Sequence, residues 1–366
     1  MTTTSQALAL ESRPPAGLER VPLGARRPDA VRAAARLAFP IASIGVGAAL
    51  AALAWFALAP ATAERAAFVP LLVGLVLFGL PHGALDHLVP ARLGAAWGRR
   101  PLPMVLFLGG YVVLALGYLA LWSVAPGLAF IGFLVATVAH WGQGDVDFLE
   151  RFVGRRRAGP FGYAAAIVLR GALPVAIPVL VQTDVAQGLL ASAAAAFGAG
   201  ADGLDLSAPL VRGGLLLVLL VSGSVYALGL RRAWATPAGR WLDVGEVALL
   251  VALFAWVPAY LAIGAYFLFW HSLRHLARLL LLRDVDARAV AGGDLRGPVL
   301  RLTRDLVPIT LIALLFLAAL GAWAGPRIDG VGGFVALYLA WISALTMPHL
   351  AVVAWMDRAA AARSAT

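Results

Sequence analysis

The chain has 366 residues, of which 61% are hydrophobic and only 13% are charged, and its mean hydropathy is +0.87. Because it contains no cysteine and all 29 of its basic residues are arginine, disulfides, thiolate metal sites and Schiff bases on lysine are excluded. The net charge of +10 comes from arginines beside apolar segments, a pattern typical of membrane topology signals. We therefore predict a polytopic membrane protein with no nucleic-acid partner.

Ten apolar runs follow an Arg- and Pro-rich segment, residues 1–36, which we predict to be a mobile cytoplasmic tail. One crossing takes about 20 residues, and an unbroken helix over 244–282 would be about twice as long as the hydrocarbon core is thick, so we predict a break at Pro258. The predicted fold is an all-α transmembrane bundle of about ten crossings, with eight as the fallback, in a membrane domain of residues 37–357 before a short tail, 358–366. The ten runs are residues 37–60, 66–89, 104–124, 128–145, 161–181, 210–230, 244–257, 259–282, 306–324 and 333–355.

The arginines alternate between loops in the way that the positive-inside rule requires. With the first tail inside, the loops after the even-numbered crossings are rich in arginine, and the outer loops hold few beyond Arg65, Arg212 and Arg327. Both termini should therefore be cytoplasmic, in a multi-pass protein of the cell membrane. Arg170, near the middle of the fifth crossing, fits no loop, so we expect it to face a partner or a cavity.

All six histidines lie near the ends of apolar segments, where a polar side chain must be paired, ligated or turned toward a cavity. Five fall at similar predicted depth on inward-running helices, which favours one shared site, whereas His87 is predicted to be interfacial. His271 and His275 are four residues apart on one helix face, a spacing that can chelate one ion. Neutral imidazole suits iron, copper, zinc and nickel, so the pattern predicts a metal site and leaves iron open. The five are His82, His140, His271, His275 and His349.

Two aspartates and several aromatic residues accompany the histidines. A ligating imidazole usually donates its second N–H to a carboxylate, and Asp86 shares a helix face with His82. Asp145 reaches the side of His140 only if a nearby glycine unwinds the helix; the alternative for both aspartates is a charge that ends a crossing. The aromatic residues fit either packing or the wall of a pocket for a long conjugated substrate; they include Trp141, Phe267, Trp270 and Trp341.

Three motifs between residues 72 and 356 resemble the Brp/Blh family of membrane β-carotene 15,15′-dioxygenases: HGxxD at His82, HWGQGD at His140 and HSLRH at His271. The resemblance implies a non-haem Fe(2+) enzyme that uses O2 to split β-carotene at its central double bond into two molecules of all-trans-retinal. It further implies uptake of carotene from the lipid bilayer and supply of retinal to a rhodopsin. The implied iron ligands, which are also the catalytic residues, are His82, His140, His271 and His275.

The resemblance also covers a PHL element that contains His349. With Asp86 and Asp145, His349 is assigned to the side chains that orient the ligands, while Trp141, Phe267, Trp270 and Trp341 are assigned to the substrate wall. Two other readings stay open from the residues alone. A b-type haem protein could use the histidines as paired axial ligands, and a metal-ion transporter could line its path with them.

Overall fold

The computed structural model describes residues 28–74, 76–77, 83–201 and 203–364, and over these residues the protein is all-α, with no β-strand. The predicted helical fold class is thus confirmed. Short 3-10 or π turns extend several helices, and one π turn, Phe267–His271, joins α11 to α12. In chain order the helices are α1 (Pro28–Leu58), α2 (Pro60–Arg65), α3 (Phe68–Gly74), α4 (Val89–Arg92), α5 (Pro101–Val124), α6 (Pro126–Phe148), α7 (Gly159–Val181), α8 (Thr183–Ala196), α9 (Pro209–Ala233), α10 (Pro237–Trp256), α11 (Ala259–Tyr266), α12 (Ser272–Leu280), α13 (Asp284–Gly292), α14 (Arg296–Ala324) and α15 (Gly330–Ser364).

Among the described residues, 7 helical segments are long and apolar enough to cross a membrane. They contain α1, α5, α6, α7, α9, α14 and α15 and correspond to seven of the ten predicted crossings. The seventh and eighth predicted crossings are helical as well, but they are short, interrupted or charged, and of the second only residues 66–74, 76–77 and 83–89 are described. Length and composition therefore support seven spans and leave the predicted count of ten unconfirmed.

Charges in the helices that contain the seventh and eighth predicted crossings explain why these two are not among the seven spans. Helix α10 carries Asp243, which is 1% exposed, and α12 carries Arg274, which is 2% exposed. Charged side chains at membrane depth are tolerated when they face protein and are paired. The predicted break at Pro258 is confirmed, because α10 ends at Trp256 and α11 begins at Ala259.

The first helix begins inside the segment predicted as a tail. Pro28 occupies its first turn together with Asp29, and both residues favour a helix start, through the fixed φ of proline and the helix dipole. Ala33 and Ala34 are buried against a cluster that includes Phe148. The predicted boundary at residue 36 followed apolarity alone and so missed the amphipathic first turns; residues 1–27 lie outside the described part of the chain.

Helix α7 is the most buried of the apolar helices, and it contacts α6 at backbone distance. A Cβ added to Gly142 would lie 1.9 Å from the carbonyl oxygen of Ile167, and one added to Gly171 would lie 1.8 Å from that of Val138. Helix association in a membrane depends on such close van der Waals contact, which small residues allow. The two glycines therefore fix the position of α6, and with it His140, against the centre of the bundle.

Helix ends that the arginine pattern assigns to the same side of the membrane lie close together in the structure. The backbone N–H of Arg156 donates to the carbonyl of Ala233 over 2.8 Å, and Arg92 and Arg283 both reach Asp305, over 2.7 and 3.4 Å. These residues belong to predicted inner loops. At the opposite end Gln182, after α7, donates to the carbonyl of Val257, as expected for two outer connections.

The direction of the bundle across the membrane stays a prediction of the arginine pattern. Reporter fusions after Arg100, Arg157, Arg240 and Arg296 should read cytoplasmic, and a fusion near Asp329 should read external, because arginine-rich loops are retained inside. Paired reporters that are active on opposite sides of the membrane measure this. An external reading after Arg296 would invalidate the predicted crossing pattern around Pro258.

Candidate metal centre and its cavities

Four of the predicted histidines meet in the interior, although they come from three distant parts of the chain. His140 lies on α6, His271 ends the π turn, His275 lies on α12 and His349 lies on α15, and each is only 2–3% exposed. The His140 ring centroid lies 4.8 Å from that of His349, 5.0 Å from that of His271 and 5.8 Å from that of His275. The His275 centroid lies 5.5 Å from that of His349 and 6.3 Å from that of His271. His82, the fifth predicted member, lies outside the described residues.

These ring separations fit a metal held by several imidazoles. A metal–nitrogen bond of about 2.1 Å and a further distance of roughly 1.2 Å to the ring centre put each centroid about 3.3 Å from the metal. Two ligands at right angles would then have centroids about 4.7 Å apart, and two opposite ligands about 6.6 Å apart. The observed range of 4.8–6.3 Å lies within these limits. The donor set, neutral imidazole nitrogen, also suits iron.

The side chains do not yet form a complete metal site as they stand. Over residues 28–74, 76–77, 83–201 and 203–356, no group of three or more His, Asp or Glu side chains is arranged to hold a metal ion. The four rings therefore provide the right donors at the right spacing, and binding would require them to turn toward one point.

Local helix geometry brings the HSLRH pair into the cluster. A π turn places one extra residue in the helical path and occurs frequently at functional sites; here it ends at His271, directly before α12. The His271 and His275 rings are nearly parallel, with an interplanar angle of 20°, as expected for residues four apart on one face. Gly144 packs against His271, since a Cβ there would meet the ring at 3.5 Å.

Asp86 is the carboxylate partner of His349. The Nδ1 atom of His349 lies 2.9 Å from Oδ2 of Asp86 and 3.0 Å from Oδ1, and the hydroxyl of Tyr111 donates to the same carboxylate over 3.0 Å. When Nδ1 donates to a carboxylate, Nε2 keeps the lone pair that a metal needs. This geometry fits a metal-ligand role for His349, with Asp86 orienting it, as well as the predicted role of a residue that orients a ligand.

Arg170, which had no partner in the sequence analysis, is the centre of a buried ion-pair network. Its side chain is 0% exposed and contacts the carboxylates of Asp145 and Asp243 as well as Glu246, over 3.1 Å. Arg274 contacts Asp145 and Glu246, the latter over 2.7 Å. The network thus joins α6, α7, α10 and α12 through groups of opposite charge.

The surroundings of Asp145 differ from those that the sequence predicted. Helix α6 continues through Phe148 without unwinding at the glycines, so Asp145 lies around the helix from His140. Its partners are Arg170, Arg274 and the indole of Trp270, which donates to it over 2.9 Å. Asp145 thus contributes to the position of the histidines indirectly, because it holds the helical segment that carries His271 and His275 against α6.

Two apolar cavities adjoin the histidine cluster from different sides. The first lies between α6, α7, α8, α11 and α15 and includes His140, with mainly Leu, Val, Phe and Pro side chains on its walls. The second lies between α5, α14 and α15 and includes His349, Asp86, His87 and Tyr111 among apolar residues. Ile342 and Thr346 of α15 line both cavities.

Three of the four aromatic residues predicted to contact a substrate line these cavities. Trp141 and Phe267 line the first and Trp341 lines the second. Trp270 lines neither: its indole is 1% exposed and packs under the guanidinium of Arg274, 4.2 Å from the ring centre. It is part of the ion-pair network rather than of a cavity wall.

Sequence reasoning missed Tyr111, Glu246, Arg274 and the pair Ile342 and Thr346. Arg274 stands inside the HSLRH motif, and Asp243 and Glu246 are three residues apart in an apolar run, so unexplained charges were the available signal. The cavity residues carry no such signal, because a threonine and an isoleucine in an apolar helix look like ordinary packing.

Comparison with known proteins agrees with the motifs. A family model described as beta-carotene 15,15'-dioxygenase matches residues 73–357. Blh of Halobacterium salinarum, named as a probable beta-carotene 15,15'-dioxygenase, is 36% identical over 349 residues, or 92% of this chain and 96% of Blh. Brp of the same species, with the same description, is 33% identical over 314 residues, or 78% of this chain and 82% of Brp. No solved structure matches the chain. The chain therefore belongs to the β-carotene 15,15′-dioxygenase family.

Proposed function

We propose that this membrane protein is a non-haem iron dioxygenase that cleaves β-carotene at the central 15,15′ double bond. One O2 is consumed, the C15=C15′ bond breaks, and each carbon gains one oxygen atom, which gives two molecules of all-trans-retinal. The observation that carries the proposal is the buried four-histidine cluster between two apolar cavities, in a chain of this family.

The histidines would hold the metal. His140, His271, His275 and His349 supply imidazole nitrogens from four segments of the chain, and His82 is the further predicted ligand. Asp86 holds the Nδ1 side of His349, which fixes the ring and makes Nε2 the nitrogen that would bind the metal. Bound ferrous iron would activate O2 for reaction with the carbon–carbon double bond, and the electrons that reduce O2 would come from the double bond that is cleaved.

The cavity walls would bind the carotenoid and exclude water. Their side chains are mainly apolar, and water exclusion protects reactive intermediates from side reactions. β-Carotene dissolves in the bilayer, so a site between helices can receive it laterally and return retinal in the same way. Location in the cell membrane and supply of retinal to a rhodopsin are parts of this proposal.

The crowding of the imidazoles argues against the haem alternative. An axial pair of histidines binds iron from opposite faces of a porphyrin, which fills the space between them. Here His140 has three imidazole neighbours with centroids within 5.8 Å, so the protein already occupies the space that a macrocycle would need.

Expression in cells that accumulate β-carotene tests the function. We expect loss of yellow colour, oxygen-dependent retinal formation and close to two retinals per carotene consumed. High-performance chromatography of extracts from aerated and anaerobic cultures measures this. Longer apocarotenals alone would contradict central cleavage, a Soret band in the purified protein would favour a haem protein, and metal uptake with unchanged carotene would favour a transporter.

A further inference from the structure

The two cavities meet at the histidine cluster. His140 lines only the first cavity and His349 only the second, yet their ring centroids lie 4.8 Å apart. Ile342 and Thr346, one helical turn apart on α15, line both cavities. His349 follows Thr346 by one further turn. The boundary between the cavities is therefore within one or two turns of the proposed metal position.

A conjugated polyene is extended and rigid, so it cannot fold back into one pocket. An enzyme that cuts such a molecule at its middle needs apolar space of similar kind on both sides of the metal. On the basis of the proposed function, we propose that each cavity holds one half of the carotenoid. Ile342 and Thr346 would form the boundary between the two cavities, here called the saddle, and the central double bond of the substrate would lie across it. These two residues would then determine which bond faces the metal.

The saddle is chemically suited to a hydrocarbon. The hydroxyl of Thr346 donates to the carbonyl of Ile342 over 2.7 Å, so its hydrogen-bonding capacity is directed back into the helix. An unsatisfied hydroxyl would be costly against an apolar ligand. The pair therefore presents mainly methyl groups and methylenes to both cavities, although one member is a polar residue.

Two matched substitutions test the two halves separately. Ala115 lines the second cavity and is 6% exposed, and Ala186 lines the first and is 9% exposed. Ala115→Leu or Ala186→Leu should each lower β-carotene turnover about tenfold or more, because three added carbons compete with one arm of the substrate. The residual products should include unequal fragments whose carbons together equal those of one carotene.

An apocarotenal with one shortened arm serves as the internal control. Its short arm fits the narrowed cavity, so both variants should convert it at a rate close to that of the unmodified protein. Ala52→Leu, at a residue 5% exposed in α1 and outside both cavities, should leave the ratio of the two rates unchanged.

The outcomes separate this inference from the proposed function. If the unmodified protein forms no retinal, the proposed function fails. If it does form retinal but either variant still yields two retinals from β-carotene at an unchanged rate, the two-cavity arrangement is wrong. Equal loss on both substrates would also overturn it, since the shortened arm should escape the obstruction.

Discussion

His349→Ala should lose iron to the same extent as His140→Ala, and retinal formation should fall below detection in both. The reason is that the His349 ring is a close neighbour of His140 and His275, with centroids 4.8 and 5.5 Å away, so its removal opens the metal site itself. Metal analysis of purified protein, beside retinal yield and with membrane insertion confirmed, measures both effects.

Asp86→Asn and His87→Ala provide the comparison for His349→Ala. Asp86→Asn should lower affinity or activity about 10–100-fold, the usual cost of losing an outer partner of a ligand, without emptying the site. His87→Ala should keep its iron, because His87 bonds to the nearby carbonyl of Ala84 over 2.8 Å rather than to the cluster. Iron retained in His349→Ala together with slower turnover would return His349 to an orienting role.

Arg170→Ala should prevent stable folding of the membrane domain. The change leaves the carboxylates of Asp145 and Asp243 buried without their central cation, and breaking a buried pair from one side costs about 3–5 kcal/mol. This cost is a large part of the free energy of unfolding, which is roughly 5–15 kcal/mol for a folded protein. Detergent size-exclusion profiles and thermal unfolding should show aggregated or strongly destabilised protein.

Arg232→Ala is the matched control, because Arg232 is exposed at the end of α9. It should change thermal stability very little. The thermal stability of Asp243→Asn should lie between those of the two variants, since the amide keeps one oxygen that accepts from Tyr226 or Trp234 but loses the charge that faces Arg170. A melting temperature for Arg170→Ala equal to that of Arg232→Ala would show that the network contributes little to stability.

The parts of the site that sequence could predict are local. The four-residue spacing of His271 and His275 determines that they share a helix face, and a proline at position 258, which lacks a backbone N–H, favours a helix break in a run too long for one crossing, so both features follow from short-range geometry. The resemblance of three motifs to the family then predicted that these local features belong to one metal site.

The parts that sequence could not predict depend on contacts between distant residues. Asp86 and His349 are 263 positions apart, so the close spacing of Asp86 to His82 suggested a different partner. Arg170 is 25 positions from Asp145 and 73 from Asp243, and no local pattern connects them. The number of crossings was uncertain for the same reason, since charged helices become tolerable only when their partners are known.

The order of the buried charges along the chain has a consequence for biogenesis. Asp145 and Arg170 lie on consecutive helices, α6 and α7, which also touch through Gly142 and Gly171. A lone arginine at the centre of an inserting helix costs roughly 2.5–3.5 kcal/mol. During synthesis α6 leaves the ribosome first, so we expect Arg170 to enter the bilayer beside Asp145, whose opposite charge offsets this cost. Asp243, Glu246 and Arg274 are synthesised later, so we expect them to join a pair that Asp145 and Arg170 have already formed.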